Sequence, residues 1–152
     1  MDLATEALTG LASNIDSSGT TLTFDGALIS GGTFTSSDGL GRIIVIVDSD
    51  TDTQSDVTFT ITGTDSDGNA ITDVVTGPAS AATVASAKYF KTVSSVSVSA
   101  AQGGTEKVDI GIRGTTLSAA SRSVPLDWRC PIAATVDVDV TGTINFTVQQ
   151  TF

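Results

Sequence analysis

The stretch DVTFTITGTDSDGNAITDVVTGP, residues 56–78, decides the fold class. Val57, Phe59 and Ile61 alternate with Thr58 and Thr60, the two-residue period of a half-buried strand. Asp67-Gly68-Asn69 then supplies the residues that tolerate a tight reversal, and Ala70–Thr76 leads back. Gly77-Pro78 ends the pair, because proline has no N–H to give to a ladder. This reads as an antiparallel hairpin, and the same grammar extends in both directions.

Upstream, Arg42–Val47 (RIIVIV) is a continuous apolar run of the kind buried on both faces, and it predicts a central strand. Ser36-Ser37-Asp38-Gly39 reads as a turn before it. Thr20–Phe24 alternates, Asp25-Gly26 is a tight-turn signal, and Gly31-Gly32 between Ala27–Ser30 and Thr33–Thr35 predicts a bulge or bend. Downstream, Ala79–Ala87 is compatible with a helical turn or a loop. Tyr89–Ser99 and Lys107–Arg113 read as strands, and Ala133–Val140 and Thr143–Gln150 as a closing pair. The expected architecture is all-β, an antiparallel β-sandwich or jelly-roll-like barrel of about nine short strands. Residues 19–152 form its single domain, with a long irregular segment at 114–131. Residues 1–18 are expected to stand apart as an N-terminal arm or short helix. Leu3, Ala7, Leu8 and Leu11 have helix-like spacing there, with Asp2 as a cap.

Composition narrows the function. The chain has 152 residues, seventeen Asp and Glu against seven Lys and Arg, no His, one Cys, and a net charge of −10. Without His, the commonest general base and transition-metal ligand are missing. Cys130 alone makes neither an internal disulfide nor a thiolate zinc site. Few aromatics argue against a carbohydrate-processing cleft, so no catalytic residues are assigned and an enzyme is not expected. The acidic balance disfavours nucleic acid, since Lys88 and Lys91 around Tyr89-Phe90 offer little counterion release. Those lysines fit an exposed strand edge better. No apolar run reaches about 18 residues, so no membrane partner is expected. The N-terminus lacks the basic start and apolar core of a signal peptide, pointing to synthesis in a host cytoplasm.

Two groups of carboxylates and one arm remain. Asp48, Asp50 and Asp52 alternate as in the first half of a calcium loop, which makes Ca²⁺ the cation to consider. Thr53 and Phe59 break that pattern, so turn building and solubility are the competing explanation, and no cofactor is otherwise expected. Asp65, Asp67 and Asp73 surround the hairpin tip and read as turn residues. Leu126, Trp128 and Arg129, between Pro125 and Pro131, are candidate interface residues together with Leu3, Leu8 and Leu11. Trp128 could equally plug one end of the sandwich.

Two segments resemble small structural proteins of tailed bacteriophages. One is FTITGTDSDGN, followed by GP and then KYFKTV, within Phe59–Val93. The other is VPLDWRCPIAATVDVDVTGTINFTVQQTF, Val124–Phe152. The resemblance implies a virion component, and the acidic charge places it on the outer capsid surface. The leading expectation is a capsid decoration or cement protein, a homotrimer bound between copies of the major capsid protein. The alternatives are a neck or tail component or, in a different class, a Ca²⁺-assisted immunoglobulin-like adhesion module.

Overall fold

A computed structural model describes residues 6–17, 19–50, 52–102, 106–113 and 119–120. They form two antiparallel sheets packed face to face, as a β-sandwich. In chain order the strands are β1 (Ala7–Asp16), β2 (Ile29–Ser30), β3 (Thr33–Thr35), β4 (Gly41–Asp48), β5 (Thr58–Thr64), β6 (Ala70–Thr76), β7 (Thr83–Phe90), β8 (Thr92–Val98), β9 (Lys107–Ile112) and β10 (Ala119–Ala120). The first sheet runs β1-β9-β4, with β7 on the far side of β4 and the short β10 beside its start. The second runs β2-β3-β8-β5-β6.

The expected hairpin is β5–β6, paired from Thr58↔Thr76 to Thr64↔Ala70. Gly68 takes the left-handed conformation at its tip, φ +89°. The run RIIVIV lies in β4, hydrogen-bonded on both sides and buried at every position from Gly41 to Ile46. Ile44 and Ile46 of β4 join Phe59 and Ile61 of β5, Val93, Val96 and Val98 of β8, and Val108 and Ile110 of β9 in one core. Burying each such side chain contributes about 1.5–3 kcal/mol.

Four expectations need correction. The segment read as an N-terminal arm or helix is, over residues 7–16, strand β1 of the first sheet. Its pairing with β9 slips, so that Ala7 faces Ile112 and Ala12 faces Ile110. Residues 8–11 therefore bulge around the single residue Gly111. That bulge carries the core-facing set to positions 7, 11, 12 and 15, a spacing that imitates a helix. Gly31-Gly32 is no bulge but a two-residue hairpin turn joining β2 to β3, with both φ values positive at +60° and +79°. Such a turn matches the twist of its strands and favours glycine at both positions.

Thr20–Phe24 forms no named strand. It makes one bridge, Thr21↔Ser97, and the Leu22 N–H donates to Val96 O, laying the segment along β8 beyond the end of β3. Tyr89–Ser99 is not one strand either: the chain changes sheet at Lys91, between β7 and β8. The start of β7 had no clear alternation because it is an edge strand rich in Ala, Ser and Thr. The expected closing strands and most of 114–131 lie outside the described residues.

The edges of the sandwich meet at two corners. At one, Gly26 N–H donates to Leu11 O and Leu28 N–H to Gly10 O, which ties the approach to β2 onto β1. Gly26 is needed for close approach, since a Cβ there would stand 2.2 Å from Gly10 O. At the other corner β6 and β7 lie side by side and are joined by side chains.

Candidate functional site

Asp48 and Asp50 of the 48–56 loop serve the backbone. Asp48 is buried at the end of β4, and its Oδ2 accepts the Ala81 N–H at 2.6 Å. Ala81 sits in the left-handed region, φ +56°, costly for a residue with a Cβ, and this bond helps hold it there. Asp50 accepts the Asp52 N–H at 2.8 Å through Oδ1 and the Lys107 N–H through Oδ2. These carboxylates stitch the loop to β9 and to the 77–82 connection rather than converging. Among the described residues, no three of His, Cys, Asp and Glu stand together as a metal-ion site.

Asp65 builds the hairpin tip: its Oδ1 accepts the N–H groups of Asp67 and Asn69, and Oδ2 accepts from Asn69 Nδ2. The Asn69 side chain, followed by the backbone donors, lowers its pKa against a smaller opposing effect of desolvation. The SSDG turn has the same backbone form, with Gly39 N–H donating to Ser36 O as Gly68 N–H donates to Asp65 O. There Asp38 does the anchoring, accepting from Ser36 Oγ, Leu40 N–H and the buried Arg42 guanidinium. Desolvation pushes the Asp38 carboxyl up, but those three partners together hold it below the ordinary value.

Of the candidate interface residues, Leu11 is a correction: it is fully buried in the core. The bulge of β1 that turns Leu11 inward leaves Leu8 37% exposed. Leu28, 38% exposed, lies on the same corner, its side chain beside Gly10. Next to it a groove of about 360 Å³ runs between the sheets, lined by Ala7, Leu28, Phe34 and Ile112 and by the polar Glu6, Arg42 and Thr35 to Ser37. The sequence reading missed Leu28, whose turn setting carries no periodic signal. Leu3, Leu126, Trp128 and Arg129 lie outside the described residues. A second recess of about 400 Å³, between the hairpin tip and β7, is lined by Asp65, Asp67, Ile71, Lys88 and Tyr89. Its charged side chains are already engaged, Asp65 as above and Lys88 Nζ donating to Thr72 O at 2.6 Å.

One further polar group stands out at the opposite end of the sandwich. Gln54 is fully buried, and among the described residues neither its Oε1 nor its Nε2 has a hydrogen-bond partner. No protein-family model matches the chain, and no curated protein or solved structure is significantly similar to it.

Proposed function

We propose that the chain is a structural component of a tailed-bacteriophage virion, a capsid decoration or cement protein that binds between major capsid subunits. The observation carrying this reading furthest is the β1–β2 corner. There Leu8 and Leu28 stand exposed on an otherwise acidic sandwich, Leu28 at a groove lined by Ala7, Phe34 and Ile112 together with polar residues. Exposed apolar side chains grouped with a groove are what a binding surface offers, while the remaining charge keeps the protein soluble. The phage-like segments around FTITGTDSDGN and VPLDWR supply the context. Stabilisation follows by linkage: a protein that binds the assembled shell, and not free subunits, shifts the equilibrium toward the shell. A trimer suits this role because it matches the threefold and quasi-threefold junctions of an icosahedral lattice.

The test pairs the solution mass of the purified protein with its co-sedimentation on phage heads assembled without it. A trimer that binds heads saturably, with binding reduced at least about tenfold by Leu8→Glu together with Leu28→Glu, is the expected result. A folded protein that ignores heads overturns the reading, and a larger closed ring transfers it to the neck or tail.

A further inference from the structure

The β6–β7 corner is built differently from its counterpart. No backbone ladder joins the two strands. Instead Asp73, in the middle of β6, uses both carboxylate oxygens: Oδ1 accepts its neighbour's Val74 N–H at 3.1 Å, and Oδ2 accepts Ala87 N–H at 2.6 Å and Lys88 N–H at 3.2 Å. Lys88 Nζ returns the contact by donating to Thr72 O at 2.6 Å. Two successive amides of a regular strand point in opposite directions, so reaching one oxygen from both requires a distorted β7. That distortion is present. Ile43 pairs with Tyr89 and Val45 with Ala85, leaving Ser86, Ala87 and Lys88 opposite the single residue Ile44. Ser86 Oγ fills the gap in the ladder, accepting Ile44 N–H at 3.0 Å and donating to Lys88 O at 2.8 Å.

On β6 the clasp caps Val74 N–H and Thr72 C=O, two groups that face away from β5. In an antiparallel pair of two β6 strands related by a twofold axis, Thr72 of one copy stands opposite Val74 of the other. The Val74 N–H then donates to Thr72 C=O of the second copy, and the reverse, so the capped groups are mutually complementary. Val74, 59% exposed, lies on the same strand. From this geometry we infer that the Asp73–Lys88 clasp is an autoinhibitory edge guard: it occupies the strand-pairing site through which β6 binds β6 of a second copy. This is independent of the corner assigned to capsid binding. It bears on a protein crowded on a surface, where an open strand edge invites pairing.

The experiment uses the full chain and measures mass by light scattering across a concentration series. Asp73→Ala with Lys88→Ala is expected to associate to about twice the wild-type mass, whichever oligomer the wild type forms. Adding Val74→Pro should return it to the wild-type mass, because proline removes the outward N–H without touching the β5 ladder. An unchanged mass in a variant whose circular dichroism is native, or association that survives the proline, overturns the inference. If the double variant does not fold, Asp73→Ala alone, which uncaps Val74 N–H and releases the Ala87 and Lys88 amides, must show the same proline-sensitive association at higher concentration. Wild-type mass there overturns it too. Amide exchange supplies a second readout: Val74, Ala87 and Lys88 should exchange at least about tenfold more slowly in the wild type than in Asp73→Ala, which removes both acceptor oxygens. Equal rates would refute the clasp itself.

Discussion

Gln54 illustrates how a single residue can be settled by position yet remain costly. Its backbone is well used, with its N–H donating to Pro78 O and its carbonyl accepting from Val57 N–H. Its buried carboxamide has no partner among the described residues, and an unsatisfied buried amide costs about 1–3 kcal/mol. Gln54→Met keeps the length and removes the polar atoms, so it should raise the unfolding free energy by about 1 kcal/mol in urea denaturation. Destabilisation would mean that the carboxamide has a partner, such as ordered water. Asp38 makes the opposite case. Its folded pKa lies below the ordinary value near 3.8, so its contribution is present above that value and is lost as pH falls through the folded pKa. Asp38→Asn should therefore be less stable than wild type at neutral pH, and the gap should close below pH 3.8 in urea titrations at stepped pH. A gap that stays constant into acid would show that the charge is not the source.

Among the elements, β1 carries the sharpest consequence. Leu11 and Ala12 are fully buried, and β1 supplies the edge on which the approach to β2 hangs through Gly10 and Leu11. Removing residues 1–16 deletes this strand, exposing the β9 ladder and part of the core. Residues 7–16, expected to stand apart from the β-core, are thus part of it. That truncation should abolish cooperative unfolding in a thermal melt. Retention of a native melt by the truncated chain would contradict the assignment of β1 to the core. Residue types alone could not reveal this strand. A regular strand announces itself by alternation, as β5 does with Val57, Phe59 and Ile61. A bulged one does not, because each extra residue resets which face the next side chain meets. β7 was hidden chiefly by composition, an edge strand of small and polar residues, with a further interruption where Ser86–Lys88 bulge opposite Ile44.

At the scale of the whole molecule, the sandwich closes its described edges by two chemistries, backbone bonds at the β1–β2 corner and side-chain-to-backbone bonds from Asp73 and Lys88 at the β6–β7 corner. The first corner gathers exposed Leu8 and Leu28 and carries the proposed capsid contact. The second withholds a strand edge. The fold class, the β5–β6 hairpin, the central position of β4 and the turn at Ser36–Gly39 followed from the sequence alone. Each rests on short-range rules: a two-residue period, a doubly apolar run, and glycines where φ must be positive. The sheet order, the strand hidden in residues 7–16, and the sheet change at Lys91 were decided only by tertiary structure. So were the tasks of Asp48, read as a calcium candidate, and of Asp73, read as a turn residue but set in the middle of β6, whereas Asp65 is the turn residue it was expected to be. A carboxylate's role depends on which amides approach it, and those of Ala81, Ala87 and Lys88 lie 14 to 33 residues away. Local sequence specifies which residues can make a strand or a turn; which partner completes it is fixed by packing between segments far apart along the chain.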